Sequence, residues 1–155
     1  VLLPYAQLLP VVRAHWARFG RHYYSRHDWE GIPTERADAL MAALREQLPT
    51  LAGRRFGALE LAQADDFSYT DPVDGSVSSR QGVRLILAGG SRVVFRLSGT
   101  GTEGATLRVY LERFEPADGD HDRPTQDALA DLIALADTVA RIRELSGQTA
   151  PTVIT

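Results

Sequence analysis

Apolar residues recur at helical spacing near both ends of the chain and at alternating spacing between them. After Pro33-Thr34 the apolar positions are Ala37, Leu40, Met41, Leu44 and Leu48, with Pro49 placed to stop the run. This spacing lines one side of a helix, which should lie on a sheet. A shorter helix is expected from about Pro10, a residue suited to a first helical turn, and Gly20 is suited to follow its end. From Gly53 onward the pattern shortens into extended pieces: Arg55 to Leu61, Phe67 to Thr70, Gly82 to Ala88 and Ser91 to Leu97. Asp71-Pro72-Val73-Asp74-Gly75 and Gly89-Gly90 punctuate them, the second as a tight hairpin turn. Pro124 then opens a last long helix with Leu129, Leu132, Ile133, Ala136, Val139 and Ala140 on one face, and Gly147 ends it. The order is helix, helix, several strands, helix. It predicts an α+β domain whose helices pack on a mostly antiparallel β-sheet.

Composition narrows the chemistry. At 155 residues the chain is one domain with a real core, and its content of 44% hydrophobic and 24% charged residues is ordinary for a globular protein. A formal net charge of −3 offers no general attraction to nucleic acid or acidic membranes, so any anion is recognised locally. Without cysteine there is no thiolate catalysis, disulfide framework or Cys-type zinc site. The apolar opening is too short for a signal peptide and no stretch approaches a membrane span, which predicts a cytoplasmic protein. The chain starts on Val1 rather than methionine, so a piece of something longer is expected.

One loop carries candidate chemistry. Between Arg96 and Arg108 lie Gly99, Gly101 and Gly104 together with Ser98, Thr100, Thr102 and Thr106. Glycines allow positive φ, so successive N–H groups can turn toward one anion, and short hydroxyls add donors. A guanidinium at either end can close on a phosphate with two parallel hydrogen bonds. The competing reading is a plain hairpin with solvated arginines. Gly99 to Gly104 also spells G-x-G-x-x-G, which in a dinucleotide fold must open a helix. The following residues, Thr106 to Phe114, alternate and are rich in β-branched and aromatic side chains, which favours a strand. The G-x-x-x-x-G-x-T spacing of a nucleotide P-loop is present too, but Ala105 stands where its lysine belongs. All 17 basic residues are arginine, which excludes lysine Schiff-base chemistry.

Other features have plainer readings. Trp16, Phe19, Tyr23, Tyr24 and Trp29, interleaved with Arg18, Arg21 and Arg26, could stack on bases, but packing between helix and sheet is the commoner use of such a run. His15, His22, His27 and His121 lack metal-ligand spacing and are read as surface or packing residues.

The loop Phe95-Arg-Leu-Ser-Gly-Thr-Gly-Thr-Glu-Gly-Ala-Thr-Leu-Arg108 closely resembles the phosphate-binding loop in the last domain of the phosphoglucomutases, members of the α-D-phosphohexomutase superfamily. His15-Trp16, the run from Phe19 to Glu30, Phe67 to Ser76, and Thr149 to Thr155 resemble further segments of that domain, in the same order. The resemblance spans almost the whole chain but only about the last quarter of such an enzyme. It implies interconversion of glucose 1-phosphate and glucose 6-phosphate through a phosphoserine, Mg²⁺ and a glucose 1,6-bisphosphate intermediate that turns round between two phosphoryl transfers. By resemblance Arg96, Ser98, Gly99, Thr100 and Arg108 grip the non-reacting phosphate, while Gly101 and Thr102 shape the loop. Glu103 would point outward. Residues 1–20 would be a linker helix from a preceding domain, and 21–155 the substrate-phosphate-binding domain.

The family's serine motif, Thr-x-Ser-His-Asn-Pro, and its sugar loop, Gly-Glu-x-Ser, do not occur here. Asp118-Gly119-Asp120-His121-Asp122-Arg123 does spell the family's metal loop, Asp-Gly-Asp-x-Asp-Arg. In the family that loop belongs to an earlier domain, and acids just before Pro124 also favour the positive end of a following helix. No catalytic or metal-ligating residue is therefore assigned. The expected partners are a hexose phosphate and the remaining domains of the chain's own parent, with neither nucleic acid nor membrane. A stand-alone module for a phosphorylated sugar or nucleotide, or an interaction domain with a Gly-rich linker, are the rival readings.

Overall fold

The computed structural model describes residues 5–101 and 104–155. Its elements are α1 (Tyr5–Phe19), β1 (Arg21–Ile32), α2 (Thr34–Leu51), β2 (Arg55–Phe56), β3 (Leu59–Thr70), β4 (Val77–Leu87), β5 (Arg92–Gly101), β6 (Gly104–Glu115), α3 (Thr125–Ala128), α4 (Ala130–Ala140), α5 (Ile142–Ser146) and β7 (Val153–Ile154). The strands form one sheet in the order β2-β3-β4-β5-β6-β1-β7, and every neighbouring pair is antiparallel. The expected α+β class and the antiparallel sheet are both present.

Alternation along the strands separates two faces of the sheet. Val83, Leu85, Val93, Phe95, Leu107, Val109 and Leu111 point one way and are buried. They join Ala37, Leu40, Met41 and Leu44 of α2 and Leu132, Leu135, Ala136 and Val139 of α4 in a single core. Fully burying a side chain of this size contributes about 1.5–3 kcal/mol, so this layer holds the fold together. The opposite face of the sheet carries the charged positions.

Several boundaries differ from the sequence expectation. Residues 21–32 form a long strand between β6 and β7, not a link between two helices. Its inward positions are Tyr23, Ser25, His27 and Trp29, so half of the buried set is polar and the apolar alternation is lost. The pieces Arg55 to Leu61 and Phe67 to Thr70 belong to β2 and one continuous β3, whose register slips at Leu61/Gln63 and Phe67/Tyr69. Such slips break a simple period-two pattern. Pro10 lies within α1 rather than in its first turn, and α2 runs past Pro49 to the fully buried Leu51.

The last helix is three short ones. Leu129 joins α3 to α4, and Arg141, at φ 49°, turns left-handed between α4 and α5. The Asp137 carboxylate accepts a hydrogen bond from the Arg143 N–H at 3.1 Å and so receives the start of the new helix. Ile142 thereby enters the core. Gly147 does end the helical region, at φ 79°.

The buried polar groups of β1 are satisfied in series. The His27 Nε2–H donates to Gln126 Oε1 at 3.1 Å, Gln126 Nε2 donates to Ser25 Oγ at 2.9 Å, and Ser25 Oγ donates to the Thr155 carbonyl at 3.0 Å. Burial lowers the His27 pKa below its ordinary value, against smaller raising effects from the Gln126 bond and Asp28. The unfolded chain therefore takes up this proton more readily, with an ordinary histidine pKa near ~6.5. The stability that His27 confers is complete above that pH and declines as pH falls from there toward the lowered folded value. Thermal melts across this range should show the decline, and His27→Gln should remove its share of the slope.

Candidate functional site

β5 and β6 are joined at the glycine-rich segment, so the loop lies between two strands. It does not open a helix. That geometry removes both the dinucleotide and the P-loop readings, since each needs a strand-to-helix turn. The register pairs Arg96 with Arg108, Leu97 with Leu107, Ser98 with Thr106, and Gly101 with Gly104, with an irregularity between Ser98 and Gly101. Gly99 lies there at φ 65°. Thr100 and Gly101 complete β5, and Thr102 and Glu103 lie outside the described residues.

Directly opposed residues in an antiparallel pair share a face, so Arg96 and Arg108 stand side by side. Two like charges at this spacing repel unless an anion lies near both. On one side Arg108 is itself opposed to Asp28 of β1, which gives a row Asp28, Arg108, Arg96 across three strands. Asp28 is 3% exposed. Its Oδ2 lies 3.7 Å from Arg108 Nε, and its Oδ1 lies 3.0 Å from Arg26 Nε. Among the described residues Arg96 has no ion-pair partner, and neither Arg96 nor Arg108 donates a side-chain hydrogen bond.

A groove of about 580 Å³ continues from Arg96 along this face, lined among others by Tyr24, Arg26, Arg92, Val94, Tyr110 and Glu112. Its far end is neutralised internally: Glu112, nearly buried, pairs with Arg92 and with His22 Nδ1 at 2.7 Å. In the next row Asp65 accepts two hydrogen bonds from Arg84, each 2.8 Å, and these hold its carboxyl below the usual carboxylate range. The acids on the open face thus pair off Arg84, Arg92, Arg26 and part of Arg108, leaving the excess positive charge at the loop end.

Two glycines support the site: Gly82, which a search for ligand-type residues passes over, and the loop glycine Gly104, which has a packing role besides. A Cβ on Gly82 would lie 2.9 Å from Arg96 Cγ and 2.8 Å from the Phe95 carbonyl oxygen. The Arg96 stem lies across the space that this missing side chain leaves. Gly104, at φ 92°, brings β6 so close to β1 that a Cβ would meet the Ile32 carbonyl oxygen at 2.9 Å.

The Asp118 to Asp122 segment makes different bonds from those of a metal loop. Asp122 pairs with Arg13 at 2.8 Å, Asp120 Oδ1 accepts the Asp122 N–H at 3.0 Å, and the carbonyls of Asp120 and His121 accept from Tyr23 and Arg21. Among the described residues no three His, Asp or Glu gather closely enough to hold a metal ion. In the aromatic run Tyr23 and Trp29 are buried, whereas Phe19 and Tyr24 are exposed. The Arg21 guanidinium lies over Trp16 at 4.2 Å and over Tyr23 at 3.9 Å, and Trp16 meets His121 edge-on.

The family model described as the phosphoglucomutase-1 C-terminal domain matches residues 21–152. The chain belongs to this family. It is 57% identical to the phosphoglucomutase of Rhizobium radiobacter over 145 residues, which are 94% of this chain and 27% of that protein. It is 49% identical to the chloroplastic phosphoglucomutase of Solanum tuberosum over 146 residues, covering 94% and 23% respectively. The open-form crystal structure of Paramecium parafusin, an exocytosis-sensitive phosphoprotein also titled a phosphoglucomutase, superposes with a TM-score of 0.85 at 38% identity, covering 99% of this chain and 26% of that one. The chain thus spans about a quarter of the length of the relatives it matches.

Within this phosphoglucomutase domain the Gly82 contact gives a direct test. Gly82→Ala should lower stability by about 1–3 kcal/mol, as overpacking does, because one of the two clashes is with backbone. It should also displace Arg96. A thermal melt measures the first effect, and the NMR shift of the Arg96 Nε–H measures the second.

Proposed function

We propose that this chain is the C-terminal domain of a phosphoglucomutase that interconverts glucose 1-phosphate and glucose 6-phosphate through glucose 1,6-bisphosphate. We propose further that Arg96, Ser98, Gly99, Thr100 and Arg108 hold the phosphate that is not reacting, with Gly101 and Thr102 shaping the loop. The observation that carries the reading is the pairing of Arg96 with Arg108 beside a left-handed Gly99, in a chain of this family. Paired guanidiniums without an anion are a standing repulsion that a doubly charged phosphate relieves. The stand-alone binding module is disfavoured, because the relatives carry this domain as one part of a longer enzyme.

The domain's task follows from its distance from the chemistry. A phosphate held remotely supplies binding energy and orientation to a transfer at the other end of the sugar. The intermediate presents its two phosphates in turn, so one clamp must accept either. An arginine pair and backbone N–H groups recognise the phosphate and ignore the sugar carbon that bears it, which suits that requirement. The serine that carries the phosphoryl group is assigned to the rest of the enzyme. Mg²⁺, which there neutralises charge on the transferring group, is assigned to it as well, since the Asp120 and Asp122 carboxylates are engaged as described above.

The same reading makes residues 1–20 the approach from a preceding domain and residues 21–155 the phosphate-binding domain. α1 exposes Leu8, Val11, Val12 and Phe19, at 42%, 65%, 37% and 55%. In the isolated chain its amides should exchange hydrogen rapidly relative to those of β5 and β6, as an element with little burial does. Strong protection of α1 in dilute monomer would contradict this division.

In the full-length enzyme Arg96→Ala or Arg108→Ala should reduce kcat/KM about tenfold or more, because a hydrogen bond to a charged group is worth roughly 1.5–3 kcal/mol. Arg96→Lys should fall between wild type and alanine, since an ammonium keeps the charge but loses the two-pronged geometry. A coupled glucose 6-phosphate assay measures all three, with the isolated 155-residue chain as the inactive control. Unchanged turnover in both alanine variants would refute the clamp.

A further inference from the structure

We infer that Asp28 is a positioning residue of the phosphate site, its buried carboxylate setting the orientation in which Arg108 stands beside Arg96. The inference rests on the clamp proposed above and extends it to a group that touches no substrate.

Asp28 lies on the open face of the sheet yet is 3% exposed, an unusual setting for a carboxylate. It is covered by the guanidiniums it faces, Arg26 at 3.0 Å and Arg108 at 3.7 Å. The closest contact of each is made at Nε, the root of the guanidinium. Asp28 Oδ1, Arg26 Nε and Arg108 Nε are all buried, and none makes an aligned hydrogen bond among the described residues. The carboxylate therefore acts on these arginines through its charge and its place. That place is rigid, because the Asp28 carbonyl accepts both the Thr152 N–H at 2.8 Å and the Thr152 hydroxyl at 3.0 Å.

The charge pattern shows why such a group is needed. Arg26, Arg96 and Arg108 occupy neighbouring positions on one face, and without an internal anion they would swing apart into solvent when no phosphate is bound. Asp28 attracts two of them from the side away from Arg96. Three guanidiniums against one carboxylate leave a net positive charge for the ligand to meet, and Arg108 keeps its position ready for it. Preorganisation of this kind strengthens binding by reducing what must be ordered when the ligand arrives. Loss of Asp28 should then weaken phosphate capture in ground and transition states alike, which raises KM and spares kcat.

The test is a double-mutant cycle in the full-length enzyme, reading KM and kcat for glucose 1-phosphate. Asp28→Asn keeps the shape and removes the charge. It should raise KM about five- to tenfold with kcat within about twofold of wild type, and in an Arg108→Ala background it should change KM less than about twofold. Equal effects of Asp28→Asn in the two backgrounds, or an unchanged KM, would overturn the inference while leaving the clamp standing. An Arg108→Ala variant with wild-type kinetics would instead refute the clamp itself. If Asp28→Asn does not fold, Asp28→Glu retains the charge and moves it by one methylene, and the same rise in KM is expected. A wild-type KM for Asp28→Glu, or failure of both variants to fold, would assign Asp28 to the fold alone and overturn the inference.

Discussion

The open face of this sheet is organised around a repulsion. Arg96 and Arg108 are held opposite one another by the β5–β6 ladder, an arrangement that backbone hydrogen bonds enforce whatever the side chains prefer. Everything nearby manages that conflict. Gly82 gives the Arg96 stem a channel across β4, Asp28 draws on Arg108 from the far side, and Glu112 and Asp65 pair with Arg92 and Arg84. Positive charge is thus cancelled along the groove and left in excess at the hairpin. A surface built for solubility would disperse those charges; this one concentrates them where the backbone can turn its N–H groups inward.

The opposed face supplies the rigidity that makes such a conflict tolerable. A repelling pair on a mobile loop would separate at little cost. Here both arginines sit on strands whose alternate residues, Phe95, Leu107 and Val109, are buried under α2 and α4. Moving either arginine by more than a rotamer change would pull an apolar residue from the core, at about 1.5–3 kcal/mol for a full loss of burial. The core therefore holds the charges together through the alternation of the strands. Binding residues and packing residues are consecutive in sequence yet separated in function.

That alternation decided what was legible in the sequence. The helix stripe from Ala37 to Leu48, the alternation after Thr106, the turn at Gly89-Gly90 and the end at Gly147 are local signals, and each element is present. β1 was illegible because two of its inward positions, Ser25 and His27, are polar and are satisfied by Gln126 and Thr155, residues about a hundred or more positions away. No window of sequence contains that closure. The break at Arg141 was hidden for a similar reason, since a left-handed arginine has no compositional mark and Asp137 receives the new helix by a side-chain bond. In the candidate site, Arg96, Ser98, Gly99 and Arg108 stood out as residue types that suit an anion, and the ladder brings Arg96 to Arg108. Asp28 and Gly82 did not stand out. One is an acid where an anion site was sought, and the other has no side chain to offer.

The distinction between ligand residues and the residues that aim them has a consequence for how this domain can vary. An arginine on the open face can be exchanged without disturbing the core, so a change there alters recognition and leaves the fold intact. Gly82 and Gly104 have no such freedom, because each lies where a strand approaches its neighbour to within the radius of a Cβ. Asp28 is intermediate: it is buried like a core residue but charged like a site residue, and removing its charge leaves two guanidiniums facing the space it occupied. Breaking one partner of a buried charge cluster is costly even where the cluster itself adds little net stability. The groups that constrain this face most tightly are therefore those that would never touch the phosphate.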